Sequence, residues 1–273
     1  MNLRYQKLYL AFISLSFIGC ANTLPSLEQR YAKVIDMVKQ ESLTQVPIAT
    51  KQFTLFSLQP SVTCKDSVMH VYIEGDGLAW KTRTLISDDP TPLTPIALSL
   101  MQHDSTSCKV YIARPCQYIH TAKCEEKYWT SHRFSLEVIE SFDEALENLK
   151  QSHGVNSFHL VGYSGGGAVA ALLAARRSDV TRLVTIAGNL DITYWSSYHH
   201  IDPLRGSLNP KEYASKLQHI SQHHMIGTQD SIIPKEVFFS YQDSFQNQEN
   251  ITYSLHKASH MSCWDGVYKL FMK

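Results

Sequence analysis

The stretch HLVGYSGGGAVAALLAARR, residues 159–177, places one serine between glycines where an apolar run passes into an alanine-rich one. The run FHLV before the serine is typical of a buried strand, and the run after it favours a helix. Ser164 therefore lies at a predicted strand-to-helix turn, with Gly162 and Gly166 two residues to either side.

Such a turn suits nucleophilic catalysis. A serine hydroxyl is a weak nucleophile, so it must be exposed, presented to a base and placed beside donors for a developing oxyanion. The pattern G-x-S-x-G meets these needs, which predicts Ser164 as nucleophile and the Gly165 N–H as one oxyanion donor. The alternative is a glycine-rich helix start that binds phosphate or no ligand.

The serine turn resembles that of the α/β-hydrolase fold, and this resemblance implies an acid and then a histidine after the serine, each just after a later strand. The segment HHMIGTQDSIIP supplies Asp230, and the segment ITYSLHKASHMSCW supplies His260. Asp191 is the rival acid and His256 the rival base, although His256 ends a strand-like run and is expected to face solvent or pack.

With these motifs the chain resembles the α/β-hydrolase superfamily from about Phe53 to Lys273. The resemblance implies Ser164 as nucleophile, His260 as general base and then acid, and Asp230 as the residue that orients the imidazole and stabilises the imidazolium. The motifs EGDGLAW, DDPTPLTP and ARPCQY, together with the serine turn, resemble a group of exported bacterial hydrolases of poorly defined substrate.

A second oxyanion donor is expected from the segment VYIEGDGLAW, which follows an early strand. Its position favours the Asp76 N–H, with the Gly77 N–H as the alternative. A carboxylate beside an oxyanion is unfavourable, so the Asp76 side chain should turn away and pair with Arg83 or Arg114.

Short apolar runs alternate with helical ones from residue 51 to the end of the chain. This alternation predicts one α/β domain, residues 51–273, with a mostly parallel central sheet and helices on both faces. A strand is expected over 68–73, 109–113, 157–163, 182–188, 223–227 and 251–256, and a helix over 95–103, 135–150, 168–177 and 235–245. Residues 189–217, rich in aromatic residues and histidine, form a longer insertion that is predicted either to cover the site as a lid or to be a surface loop.

The first twenty residues, MNLRYQKLYLAFISLSFIGC, have the basic start and short apolar stretch of an export signal, predicted over 1–19. The stretch is shorter than the about 20 residues of a membrane-spanning helix. The Gly19–Cys20 pair resembles a lipobox, which predicts Cys20 as an acylated N-terminus, followed over 20–50 by a linker and an amphipathic helix over 24–43. The protein is thus expected to be exported and lipid-anchored in the bacterial cell envelope, with the membrane as a partner.

Five further cysteines would then lie in an oxidising compartment. Cys116 and Cys124 share one polar loop and are predicted to pair. Cys64 and Cys108 each precede a strand, and neighbouring parallel strands would bring them together. Cys263 is left over and is expected to be free and buried.

Composition excludes one class of partner. The 273 residues are 44% apolar and carry no formal net charge, so no basic field attracts nucleic acid. The thirteen histidines include two adjacent pairs, His199–His200 and His223–His224, but neighbours on a strand point to opposite faces and do not chelate. No metal or organic cofactor is expected.

These observations predict a membrane-anchored serine hydrolase that cleaves an ester or related acyl bond of a small-molecule or lipid acyl substrate. Carboxylesterase or lipase chemistry is favoured over thioesterase, acyltransferase and peptidase activity, which use the same three residues. The alternative is a surface binding module with little turnover, for which Glu74 and Asp76 beside the oxyanion segment are the argument. The oligomeric state is not predicted.

Overall fold

The computed structural model of the protein describes residues 24–39 and 41–273. The predicted signal segment 1–19 and the acylation site Cys20 lie outside this range. Two sheets are formed by strands β1 (Leu43–Gln45), β2 (Ile48–Ala49), β3 (Thr54–Leu55), β4 (Ser57–Pro60), β5 (Val68–Ile73), β6 (Lys109–Ile112), β7 (Ser157–Tyr163), β8 (Val180–Ile186), β9 (Ser221–Gly227) and β10 (Ile251–His256).

Eight of these strands make the central sheet, in the order β1-β4-β6-β5-β7-β8-β9-β10. The first three strands of this order pair antiparallel, and all later neighbours pair parallel. The remaining strands, β2 and β3, form a separate antiparallel pair. The mostly parallel sheet is as predicted. The six strands β5, β6, β7, β8, β9 and β10 are mutually parallel, so their carboxyl ends lie at one edge of the sheet.

The helices are α1 (Leu27–Val38), α2 (Ile96–Met101), α3 (Leu136–His153), α4 (Gly165–Ala174), α5 (Ile192–Tyr198), α6 (Ala214–Leu217), α7 (Lys235–Gln242) and α8 (Trp264–Phe271). Buried side chains of α3, α4 and α7 form one apolar cluster on the sheet, and those of α1, α2 and α8 belong to a second cluster. The sheet is therefore covered on both faces, as a parallel sheet requires.

Several boundaries differ from the predicted ones. Helix α4 begins at Gly165, three residues earlier than predicted, because the turn leads directly into the helix. Strand β1 joins the central sheet from within the segment 20–50 that the sequence analysis set apart. Strands β1 to β4 are too short to show an alternating pattern, and helix α8 was not predicted.

Helix α1 packs on the domain rather than standing apart. Ser26 caps it through a capping box with Gln29, and Val34 is fully buried. The Arg30 side chain donates to the carbonyl oxygen of Thr91, and Lys33 Nζ donates to that of Leu93 at 3.1 Å. The amphipathic helix predicted over 24–43 is therefore present but shorter, and it lies against the loop that precedes α2.

The predicted insertion folds into short helical pieces: α5, a 3-10 turn over Pro210–Tyr213 and α6. Asp191 caps α5 by accepting from the backbone N–H groups of Thr193 and Tyr194. In the part of the chain that the structure covers, no helix combines the length and the apolar character needed to cross a membrane.

Candidate active site

Ser164 occupies a sharp turn between β7 and α4. Its φ of +53° and ψ of −121° lie outside the regions usual for a residue with a side chain, so the backbone is strained at this position. The backbone crowds here: a Cβ at Gly162 would lie 2.3 Å from the Gly166 oxygen, and one at Gly166 would lie 2.2 Å from the Ile73 oxygen. Both glycines of the motif are therefore required by close packing of β7, α4 and β5.

The structure brings the three predicted side chains into one hydrogen-bonded chain. His260 Nε2 lies 3.0 Å from Ser164 Oγ, and His260 Nδ1 lies 2.8 Å from Asp230 Oδ2. Asp230 follows β9 and His260 follows β10, so both side chains come from carboxyl ends of the same parallel sheet as Ser164. An imidazole between a hydroxyl and a carboxylate can accept the serine proton and keep its other nitrogen protonated.

The Asp230 carboxylate is fully buried and held in place. Its Oδ1 accepts from the backbone N–H groups of Ile232 and Ile233, each at 2.8 Å, while Oδ2 faces His260. Both oxygens are thus engaged, and the orientation toward the imidazole is fixed by the loop that begins α7.

The main-chain carbonyl of His260 is fixed by two side chains that the sequence analysis did not single out. Tyr163 Oη donates to this oxygen at 2.8 Å, and Trp264 Nε1 donates to it at 2.9 Å. The Tyr163 ring also faces the imidazole, with centroids 5.3 Å apart. Tyr163, the residue before Ser164, therefore positions the loop that carries His260.

The rival acid and base lie elsewhere. Asp191 caps α5, and its Oδ2 accepts from Ser240 Oγ at 2.7 Å and from Lys211 Nζ at 3.1 Å. His256 Nε2 lies 2.7 Å from Ser254 Oγ. Neither residue contacts Ser164 or His260, so the structure favours Asp230 and His260 over both rivals.

The backbone N–H groups of the predicted oxyanion donors Gly165, Asp76 and Gly77 have no protein acceptor within the described part of the chain. Gly165 begins α4, and the other two follow β5 in the neighbouring loop. Free N–H groups at a helix start and in an adjacent loop are what an oxyanion hole requires. The choice between the N–H groups of Asp76 and Gly77 stays open.

The Asp76 side chain lies against Gly165. A Cβ built on Gly165 would be 2.1 Å from Asp76 Oδ1, so the carboxylate takes the space that a side chain would need. Asp76 Oδ1 accepts from Arg114 Nη1 at 2.9 Å, and Oδ2 accepts from Arg133 Nη1 at 2.8 Å. The predicted pairing with Arg114 is confirmed, while the pairing with Arg83 is wrong because Arg83 is exposed and Arg133 takes the second oxygen.

The charge of Asp76 is maintained by these partners. Burial raises the pKa of its carboxyl group, but the charges of Arg133 and Arg114 outweigh burial and hold the pKa below its usual value. The Arg114 and Arg133 side chains are themselves only 4% and 7% exposed. The loop after β5 is therefore fixed by a buried ion cluster.

Glu74, just before this loop, is also buried, but its pKa is shifted in the opposite direction from that of Asp76. It accepts from the backbone N–H groups of Gly75 and Ala97 and from Tyr111 Oη. Burial raises its pKa to about 7, against the lowering effect of these donors. Glu74 thus holds the start of this loop by hydrogen bonds, and its carboxyl group takes up a proton near neutral pH.

Helix α5 is tied to the Asp230 loop. Trp195 Nε1 and His199 Nε2 both face the carbonyl oxygen of Ile232, at 2.7 and 2.8 Å. Tyr198 and Ile232 are about half exposed, which leaves apolar surface on both sides of this contact. The insertion therefore borders the site instead of forming a detached loop.

Both predicted disulfides are confirmed: Cys64 pairs with Cys108, and Cys116 pairs with Cys124. The first bond links the starts of β5 and β6, which are parallel neighbours. Cys263 is free as predicted, but its predicted burial is wrong: it is exposed at the start of α8, three residues after His260.

The adjacent histidines of β9 point to opposite faces. His224 is buried against Phe238, whereas His223 contacts Thr252 and Ser254. Across residues 24–39 and 41–273, no group of three or more histidine, cysteine or acidic side chains could hold a metal ion.

Comparisons with known proteins agree with this architecture. A family model described as alpha/beta hydrolase fold matches residues 116–226, and no curated protein sequence matches the chain. Among solved structures, an esterase of Pyrococcus furiosus is similar with a TM-score of 0.61 and 12% identity, over 87% of this chain and 93% of that one.

Two further solved structures give the same result. A serine hydrolase homologue from Coxiella burnetii has a TM-score of 0.56 and 14% identity over 84% of this chain and 95% of its own. Est1E of Butyrivibrio proteoclasticus has a TM-score of 0.55 and 12% identity over 84% of this chain and 97% of its own. The chain has the α/β-hydrolase fold, which confirms the fold predicted from the sequence.

Proposed function

We propose that the protein is a serine hydrolase that cleaves an ester or related acyl bond through an acyl-enzyme on Ser164. The observation that carries this proposal is the chain from Ser164 Oγ through the His260 imidazole to the buried Asp230 carboxylate, over 3.0 and 2.8 Å. These distances suit proton transfer without rearrangement.

In the proposed reaction, Ser164 Oγ attacks the acyl carbonyl while His260 Nε2 takes its proton. The Gly165 N–H and one N–H of the Asp76–Gly77 loop stabilise the oxyanion. Collapse of the tetrahedral intermediate expels the alcohol, which receives the proton from His260. Water activated by His260 then hydrolyses the acyl-enzyme, and Asp230 stabilises the imidazolium in both halves.

A fluorophosphonate probe tests this proposal directly. The wild type should be labelled, and Ser164→Ala should not. Asp230→Asn should label far more slowly, by about 10³-fold or more, whereas Asp191→Asn keeps an oxygen that caps α5, loses the ion pair with Lys211 and should still label. Absence of labelling in the folded wild type would refute the hydrolase and favour the binding module.

The acyl group is proposed to be apolar or a lipid acyl chain. The half-exposed Tyr198 and Ile232 beside the Asp230 loop support this choice. A chain-length panel of p-nitrophenyl esters should show rising kcat/KM with length, and an equal response at all lengths would contradict it. Thioester, peptide and alternative acyl-acceptor substrates in the same assay distinguish an esterase from a thioesterase, a peptidase or an acyltransferase.

Export and lipid anchoring in the cell envelope are also proposed. The two disulfides support an oxidising compartment. Incorporation of radiolabelled palmitate should occur in the wild type and disappear in Cys20→Ala; incorporation that survives the substitution would refute the anchor.

A further inference from the structure

Two buried arginines share one carboxylate beside the nucleophile. Arg114 and Arg133 each donate through Nη1 to a different oxygen of Asp76, at 2.9 and 2.8 Å. The two guanidinium groups carry two positive charges, and Asp76 supplies one negative charge. The cluster therefore retains one positive charge in a place where burying an unpaired charge is costly.

No other acidic group neutralises this charge within the described part of the chain. Asp76 is the one carboxylate that forms an ion pair with either arginine there. Their other side-chain hydrogen bonds are to carbonyl oxygens: Arg114 Nη2 donates to the Arg133 oxygen, and Arg133 Nε donates to the Thr130 oxygen at 2.7 Å. A carbonyl accepts a hydrogen bond but brings no net charge.

The two other acids near the site are occupied elsewhere. Asp230 is held by two backbone N–H groups and by His260. Glu74 accepts from backbone N–H groups and from Tyr111. Neither carboxyl group contacts Arg114 or Arg133.

Arg133 also has donor capacity to spare. Its Nε and Nη1 have partners, whereas its Nη2 donates to no acceptor among the described residues. The side chain is only 7% exposed, so little of it is accessible to solvent. Nη2 is not among the fully buried polar atoms without a partner, so it is accessible and can donate to an anionic acceptor such as a carboxylate or a phosphate.

The unpartnered Nη2 of Arg133 belongs to a side chain that lies close to the proposed site. Its Nη1 binds the Asp76 carboxylate, which itself lies against Gly165, the residue after the nucleophile. The guanidinium carbon lies 5.6 Å from the centre of the Trp195 ring on α5. Arg133 therefore lies between the loop after β5, which carries Asp76, and helix α5, which borders the site.

We propose that Arg133 is a specificity-determining residue that binds an anionic group, a carboxylate or a phosphate, carried by the ester substrate close to its scissile carbonyl. The inference rests on the proposed hydrolase function and narrows its substrate class. An anion on the alcohol side is compatible with the apolar acyl group proposed above, whereas an anion on the acyl side would replace it. Arg114, whose Nη2 is used by the Arg133 carbonyl, holds Asp76 and Arg133 in place.

A matched pair of esters tests this proposal. p-Nitrophenyl butyrate is neutral, and the p-nitrophenyl monoester of succinate has a similar acyl chain that ends in a carboxylate. The butyrate ester of 4-hydroxyphenyl phosphate places the anion on the alcohol side instead, and its neutral reference is phenyl butyrate. The wild type should show at least tenfold higher kcat/KM for one anionic ester than for its neutral reference, and the ester that is preferred identifies the side on which the anion is carried.

Arg133→Met should reduce that ratio to about one. Both absolute rates should fall, since Asp76 loses a partner, so the ratio is the quantity that reports recognition of the anion. Arg133→Lys retains a charge and should keep an intermediate ratio. Arg83→Met, at an exposed arginine without an ion pair, is the matched control and should leave the ratio unchanged.

Inorganic phosphate provides a test on the unmodified protein, which does not depend on whether a variant folds. It should inhibit hydrolysis of the neutral ester competitively in the wild type. Equal kcat/KM for anionic and neutral esters together with no inhibition by phosphate, or a ratio unchanged in folded Arg133→Met, would overturn the proposal while leaving the hydrolase intact. Failure of the wild type to hydrolyse any ester or to react with the fluorophosphonate would overturn both.

Discussion

The hydroxyl of Tyr163 donates to the main-chain oxygen of His260 over 2.8 Å, which joins the residue before the proposed nucleophile to the loop that carries the proposed base. Trp264 Nε1 donates to the same oxygen. The geometry between Ser164 and His260 therefore depends on two side-chain donors as well as on the sheet.

Tyr163→Phe should lower kcat by about fivefold with little change in KM, because one hydrogen bond of about 1 kcal/mol is lost while the ring still faces the imidazole. Trp264→Phe should have a similar effect on kcat. The double variant should lose more than the product of the two single losses, since no donor then holds the loop. Steady-state kinetics with an ester substrate check this, and a change confined to KM would contradict a positioning role.

Gly165→Ala should abolish most activity and lower the melting temperature. The added Cβ would meet Asp76 Oδ1 at 2.1 Å, and Asp76 cannot easily move because two arginines hold it. Combining it with Asp76→Ala should not restore the lost stability, because removal of the clash leaves Arg114 and Arg133 buried without a carboxylate. Gly266→Ala in α8 has open space around it and should be neutral or stabilising, by up to about 1 kcal/mol.

Glu74 should give the protein a stability that falls as pH rises. Its pKa is raised from 4.5 in the unfolded chain to about 7 in the folded protein, so between these values the folded state holds a proton that the unfolded state releases. The contribution is fully present below pH 4.5 and is lost as pH rises through 7, on the order of 3 kcal/mol.

Urea unfolding between pH 4.5 and 8 checks this prediction. The difference in free energy of unfolding between Glu74→Gln and the wild type should shift in favour of the variant as pH rises. Exposed Glu28→Gln serves as the control and should show no such trend. A constant difference across the range would contradict the shifted pKa.

The two disulfides should differ in their effects. Cys64–Cys108 closes a separation of 44 residues and Cys116–Cys124 one of 8, so chain entropy predicts a loss of about 4 against about 2.5 kcal/mol on replacement by alanine pairs. Cys116 lies two residues after Arg114, so loss of the shorter bond should also reduce the proposed esterase activity. Melting temperatures and kinetics of the two double variants check both differences; equal effects on activity would contradict the second.

The arrangement of the proposed site was largely predictable because its parts follow the strand pattern. Ser164, Asp230 and His260 each come after a strand-like run, and parallel strands end at one edge of a sheet. The same reasoning paired Cys64 with Cys108. These inferences require only which strands are neighbours, and apolar patterning reports that well.

The supporting contacts could not be predicted, because they join residues remote in the chain through side chains of no distinctive pattern. Arg133 reaches Asp76 across 57 positions and lies in a loop, where no periodicity marks it. The exposure of Cys263 likewise depends on α8, whose start follows the His260 loop directly. One signal was present: Gly165 adds a glycine that the serine motif does not require, which indicates that a neighbour occupies its side-chain space.

The docking of α1 has a mechanical consequence for an anchored form of the protein. Its cap, Ser26, is six residues from Cys20, a span of at most about 20 Å. Through Arg30 and Lys33 the same helix hydrogen-bonds to the loop over 91–93. This loop directly follows Pro90, whose carbonyl oxygen lies against Gly77. A protein acylated at Cys20 would thus be held by a short tether. It would stay within a layer a few nanometres deep at the bilayer and would act only on molecules that enter that layer.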